Sequence, residues 1–174
     1  MEKLKLLISA EKIQQRVKEI GRQITKEYKD KPLVFVGILK GAFIFLADLV
    51  RSVELPQLEI DFVRLASYGQ KDTSSGEVQI TKDIELSIKN KHVIIVEDIV
   101  DTGYTLAYFQ DVLKLHEPLS VKICCLIDKA ERRKAKINID YCGFNIPKGF
   151  LVGYGLDFAE KYRHLPGIYE IVRE

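Results

Sequence analysis

The sequence predicts an α/β fold, a mainly parallel sheet flanked by helices with a small subdomain appended. Two observations carry this. Strands alternate with helices through the first two thirds of the chain, and short strands crowd the last third. A third observation sets the scale: 174 residues correspond to one domain, spanning 1–174, at roughly 150 residues per domain. The 47% hydrophobic and 30% charged fractions are those of a globular protein and exclude disordered, collagenous and coiled-coil classes.

The elements follow in order. Ser9 is placed to cap a helix whose apolar positions, Ile13, Val17, Ile20, Ile24 and Tyr28, recur every three or four residues. Lys31-Pro32 ends it, and LVFVGI (33–38) is short, β-branched and uninterrupted, as in a strand buried on both faces. A second helix is expected over 41–53, and LEIDFVRL (58–65) alternates as a strand. ASYGQKDTSSGE (66–77) is small, polar and glycine-containing, so it reads as a long mobile loop. VQIT (78–81) and HVIIV (92–96) are strands, and a helix over 105–116 carries Leu106, Phe109, Val112 and Leu113 on one face. VKICCLI (121–127), DYCGF (140–144), FLVGYG (150–155) and IYEIV (168–172) complete the strands.

Charge and cysteine content narrow the function. Lys and Arg number 27 against 25 Asp and Glu, a net charge of +2, so nothing drives the whole surface towards nucleic acid or an acidic membrane. Any polyanion site must be local. Cys124, Cys125 and Cys142 form neither an even framework nor a C-x-x-C pair. The segment 1–7 is too short and charged for a secretory signal. The most apolar stretch, 33–50, is interrupted by Lys40 and Asp48, and a lysine near a bilayer centre costs about 3 kcal/mol. A cytosolic domain is the simpler account. His92, His116 and His164 lack metal-ligand spacing. No G-x-S-x-G, Walker A or G-x-G-x-x-G motif is present.

The chemistry concentrates in HVIIVEDIVDTGYTL (92–106). A buried strand runs into Glu97 and Asp98, then Asp101, then Thr102, Gly103, Tyr104 and Thr105 opening a helix. Ligands of open α/β sheets bind at the carboxyl ends of strands. Backbone N–H groups at a helix start form a cradle for phosphate. Carboxylates beside that cradle accept hydrogen bonds from vicinal hydroxyls and hold Mg²⁺. A ribose 5-phosphate meets both demands. A helix cap would use one acidic residue, not three in five positions.

This segment resembles the phosphoribosyl pyrophosphate (PRPP) signature of type I phosphoribosyltransferases, and the rest of the chain resembles their hypoxanthine-guanine branch. LKG (39–41) is similar to the first pyrophosphate loop, SYG (67–69) to the mobile catalytic loop, LIDK (126–129) to the strand bearing the purine-contacting lysine, and FLVGYGLDFAEKYRHLP (150–166) to the C-terminal purine and pyrophosphate segment. The match runs along nearly the whole length in one order. It implies the type I fold with a small hood built from the chain ends. It also implies a transferase making IMP or GMP and pyrophosphate from hypoxanthine or guanine and PRPP.

By that resemblance Lys40, Gly41, Ser67, Tyr68, Glu97, Asp98, Asp101, Thr102, Gly103, Tyr104, Thr105 and Arg163 contact PRPP. Lys129, Phe150, Leu151 and Asp157 contact the purine, and Glu97, Asp98 and Asp157 hold Mg²⁺. Asp101 is the catalytic residue that shares the purine N7 proton. The peptide before Lys40 can be cis in relatives. Lys148-Gly149 and Tyr104 depart from common family choices without removing a chemical group. The remaining basic residues of DKAERRKAK (128–136) are expected to be a solvated face. The implied partners are small molecules, with no nucleic acid or membrane, in a cytoplasmic dimer or tetramer. Two rivals are an enzyme of the same fold using another base such as xanthine, and a regulator that binds PRPP without turnover.

Overall fold

The computed structural model describes residues 2–68 and 77–173. Among them the strands form two sheets. The larger has the order β4-β3-β2-β5-β6-β7, from β2 (Leu33–Leu39), β3 (Leu58–Tyr68), β4 (Glu77–Lys82), β5 (His92–Val100), β6 (Ser120–Asp128) and β7 (Tyr141–Asn145). All its pairings are parallel except β3 with β4. The smaller sheet has the antiparallel order β1-β9-β8, from β1 (Glu2–Ile8), β8 (Leu151–Val152) and β9 (Ile168–Arg173). The two ends of the chain therefore build the hood.

The helices explain the continuous apolar strands. Along β2, Leu33 and Phe35 face α1 (Ala10–Glu27) and α2 (Phe43–Arg51), whereas Val34 and Val36 face α3 (Tyr104–Lys114). Both faces of the sheet are covered, so successive residues are buried rather than alternately exposed. Cys124 and Cys125 divide the same way, each fully buried in a different layer. Helix α1 buries Ile13, Val17, Ile20 and Ile24, and Ser9 accepts a hydrogen bond from the Lys12 N–H at 3.3 Å, as a cap should.

Three boundaries differ from expectation. Ala66, Ser67 and Tyr68 belong to β3 and pair with β4, Ser67 opposite Val78 and Tyr68 opposite Glu77. The expected loop is thus shorter at that end, and its central portion, 69–76, lies outside the described residues. Only two residues of FLVGYG remain in a strand, because Gly153, Tyr154 and Gly155 all take positive φ. Strand β1 was not expected: its leucines alternate with lysines, and its partner β9 lies at the far end of the chain.

Strand order places the crevice. From β2 the chain passes through α2 to β3 on one side, and from β5 through α3 to β6 on the other. Since α2 and α3 lie on opposite faces, the connections leaving β2 and β5 part at the strands' carboxyl ends, the topological switch point where open α/β sheets bind ligands. Their last pair is Gly37 with Val96, but β5 continues beside β6 as far as Val100 and Asp128. Glu97 and Asp98 consequently project at the strand end, unpaired on the β2 side.

Candidate active site

A cavity of about 320 Å³ occupies this crevice. Ile38 and Leu39 line it from β2 and Gly41 from the turn after it, Leu65 from β3, and Glu97, Asp98, Asp101, Thr102, Gly103 and Thr105 from β5 and the start of α3. The Leu39–Lys40 peptide is cis. Gly103 is the N-cap of α3 with φ +85°, and no described side chain caps that end. Its amides and the positive end of the helix are therefore open to an anion. Tyr104 is the first helical residue and its side chain is exposed, consistent with a backbone contribution only.

The carboxylates differ in environment. Glu97 Oε1 accepts from the Asp98 N–H at 3.0 Å, and Asp98 Oδ1 accepts from the Ile99 N–H at 2.7 Å. Burial, and next the neighbouring Asp98 carboxylate, raise the Glu97 pKa well above the usual carboxylate range. Part of the residue's surface nevertheless opens to the crevice. Asp98 lies so close to Gly41 that a Cβ there would stand 1.8 Å from Oδ2. Only glycine permits that approach. Asp101 Oδ1 is ion-paired with Arg132 Nε at 2.9 Å but receives no well-directed hydrogen bond.

Lys129 directly follows β6 beside this group and is buried, 7% exposed. Its ammonium donates to the Gly149 carbonyl at 2.8 Å. Burial lowers its pKa, with the Asp101 carboxylate opposing and the Arg132 guanidinium reinforcing that shift. Phe150 is 53% exposed, held at one edge by Phe158 with centroids 5.4 Å apart and rings at 85°. One face of the ring is thus available for stacking. Leu151 is buried in the core layer that also holds the apolar faces of α1 and α2.

The C-terminal segment brings a second basic group. Lys40 and Arg163 both contact Glu160 Oε2, at 2.9 and 3.3 Å. Arg163 also donates to the Gly155 carbonyl at 2.7 Å and pairs with Asp157 at 2.9 Å. The other Asp157 oxygen accepts from the Glu160 N–H at 2.9 Å. Both Asp157 oxygens thus have partners within this turn, and among the described residues no group of three His, Cys, Asp or Glu side chains is gathered closely enough to hold a metal ion. Glu97 and Asp98 stand together at the end of β5. Of Ser67 and Tyr68 only the backbone pairing with β4 is described.

The basic run is also not a uniformly solvated face. Arg133 pairs with Asp128, their side chains 15% and 14% exposed, while Arg132 reaches Asp101. Asp128, closing an apolar strand five residues before Arg133, was the available signal. Glu160 carried none, since its contacts depend on the positive φ of Ala159 and Glu160 itself.

A parallel sheet whose switch point carries paired carboxylates and an open helix N-terminus defines a class, enzymes that bind sugar phosphates. A family model described as "Phosphoribosyl transferase domain" matches residues 7–159. A hypoxanthine phosphoribosyltransferase of Haemophilus influenzae is 48% identical over 172 residues, covering 97% of this chain and 96% of that one. A hypoxanthine-guanine phosphoribosyltransferase of Bacillus subtilis is 47% identical over 164 residues, 94% and 91% of the two chains. Among solved structures, a hypoxanthine-guanine phosphoribosyltransferase of Bacillus anthracis superposes with TM-score 0.94 at 44% identity, covering 99% of this chain and all of that one. A Staphylococcus aureus hypoxanthine phosphoribosyltransferase gives 0.93 at 47% identity, covering 97% and 91%. The chain belongs to the phosphoribosyl transferase family, in its hypoxanthine(-guanine) branch.

Proposed function

We propose that the protein transfers the phosphoribosyl group of PRPP to N9 of hypoxanthine or guanine, releasing pyrophosphate, as a single domain acting in purine salvage. One observation carries this reading: the switch-point cavity joins an uncapped helix start to Glu97, Asp98 and Asp101, with buried Lys129 beside them. The Thr102–Thr105 amides and hydroxyls bind the 5-phosphate. Glu97 and Asp98 accept hydrogen bonds from the ribose hydroxyls. Lys40, Gly41 and Arg163 face the pyrophosphate, which displaces Glu160 from the two cations it now bridges. Phe150 stacks on the purine, Leu151 supports it from the core beneath, and Lys129 donates to the 6-oxo group. Asp101 takes the N7 proton as the base attacks the anomeric carbon.

The donor set fits Mg²⁺. Two adjacent carboxylates, Glu97 and Asp98, whose mutual repulsion a nearby cation would relieve, suit a hard cation that completes its shell with substrate oxygens rather than a protein cage. When bound, the ion would neutralise charge on the departing pyrophosphate. Nucleotide formation from PRPP and hypoxanthine is expected to require Mg²⁺, with Mn²⁺ as a partial substitute. Full turnover in excess chelator without divalent ion would contradict it. A second test probes the Gly41 contact. Asp98 is short and anchored through Ile99, so a methyl group at Gly41 must displace either it or the loop. Gly41→Ala is expected to lower kcat/KM for PRPP by about 10²-fold, the cost of misplacing substrate by about 1 Å. Wild-type kinetics would mean that the carboxylate yields freely.

The proposal extends to a cytoplasmic homo-oligomer, dimer or tetramer, acting on small molecules. No helix among the described residues is long and apolar enough to cross a membrane.

A further inference from the structure

We propose that Arg133 is a positioning residue that aims the backbone amides of the phosphate cradle; this rests on the phosphoribosyl-binding reading above. After β6 the chain turns back beneath the β5–α3 junction, and three successive carbonyls there point at it. The Val100 carbonyl accepts from the Lys129 N–H at 2.9 Å. The Asp101 carbonyl accepts from Arg133 Nε at 3.1 Å. The Thr102 carbonyl accepts from the N–H groups of Lys134 and Ala135, at 2.9 and 3.0 Å.

In a trans peptide the C=O and the following N–H point in opposite directions. Drawing these carbonyls towards 129–135 turns the amides of Asp101, Thr102 and Gly103 to the other side, where Asp101, Thr102 and Gly103 line the cavity. Of the three carbonyls only that of Asp101 takes its donor from a side chain. Backbone donors hold its neighbours, so the orientation of the central peptide is the one that a side-chain substitution can release.

The guanidinium is itself fixed. Its other arm is bound by the Asp128 carboxylate, and this pair is largely buried. Two-point attachment is what a planar guanidinium provides and an ammonium does not. The aliphatic stem closes the arrangement from behind: a Cβ on Gly103 would stand 2.8 Å from Arg133 Cδ. Lys129 and Arg133 flank one short turn, Ala130–Arg132. The segment that presents the purine-facing ammonium is therefore the one that orients the phosphate amides.

The test is calorimetric titration with two probes, ribose 5-phosphate and inorganic pyrophosphate. Arg133→Met keeps the stem over Gly103 and removes the donors. It is expected to weaken ribose 5-phosphate by about 10- to 100-fold, the loss of one charge-assisted hydrogen bond and the misaimed amide behind it. Pyrophosphate, whose proposed ligands Lys40 and Arg163 are untouched, should stay within about twofold. Arg133→Lys should recover only part of the loss. Lys134→Ala removes an exposed side chain but keeps the N–H, and should match wild type. Because Arg133→Met strands a buried carboxylate, the double variant Asp128→Asn/Arg133→Met is measured too, and its cooperative thermal unfolding reports folding. If this double variant binds ribose 5-phosphate as wild type does, the inference is overturned. Equal weakening of both probes would make Arg133 a general structural residue and overturn it as well. Failure of the wild type to bind ribose 5-phosphate would instead contradict the phosphoribosyl-binding reading.

Discussion

Adenine is expected to be used with a kcat/KM about 10⁴–10⁵-fold below that of hypoxanthine, the discrimination open to a site built around one buried hydrogen bond. The group responsible is Lys129. Its ammonium has three donors and no acceptor; one donor is spent on the Gly149 carbonyl, which leaves two for a base. Hypoxanthine, guanine and xanthine present a 6-oxo acceptor, whereas adenine presents an amino donor. Donor would meet donor in a buried place, leaving both unpaired. Lys129→Ala should therefore damage kcat/KM for 6-oxopurines far more than PRPP binding. A pH signature accompanies this. Burial lowers the Lys129 pKa, so the ammonium is lost at a lower pH than for an ordinary lysine. Wild-type kcat/KM for hypoxanthine should be full below that folded-state pKa and decline as pH rises through it. The alanine variant should lack this alkaline limb. Steady-state kinetics on three bases, wild type against variant, would refute the assignment if the two proteins matched.

Asp101→Asn should lower kcat by about 10²–10⁴-fold, the usual contribution of a positioned proton acceptor. Asparagine keeps the shape and most of the hydrogen bonding but cannot take a proton. PRPP affinity should change by less than roughly tenfold, because the cradle is built from the main chain. Arg132 lies 2.9 Å from the Asp101 carboxylate, a partner that the purine N7 proton must supplant or share. An unchanged kcat would reduce Asp101 to an ion-pair partner at the head of its helix.

Much of the fold was legible because its signals are local. The period of Ile13, Val17, Ile20 and Ile24 and the cap at Ser9 marked α1, and uninterrupted β-branched runs marked β2, β5 and β6. The acidic cluster after Val96 could be placed from sequence alone, since a buried strand followed by Glu97, Asp98 and Asp101 has few structural excuses. Long-range pairing left no such trace. Strand β1 exists through its register with β9, Leu4 opposite Ile171 and Leu6 opposite Tyr169, and isolated it reads as a charged terminus. The partners of Asp157 were equally out of reach, since the turn at Ala159 and Glu160 brings Arg163 and the Glu160 N–H onto its oxygens. Arg133 stood in a mostly basic run, where Asp128 was the one local signal and the three-dimensional path shows which of two adjacent arginines turns inward.

The central claim is tested most directly by measuring pyrophosphate and nucleotide together when the protein is given PRPP, Mg²⁺ and hypoxanthine or guanine. Phosphoribosyl transfer predicts that the two products appear in equal amounts and only when a 6-oxopurine is present. Binding of PRPP without release of pyrophosphate would make the protein a PRPP-responsive binder, and pyrophosphate formed without nucleotide would make it a hydrolase; either result contradicts the transfer.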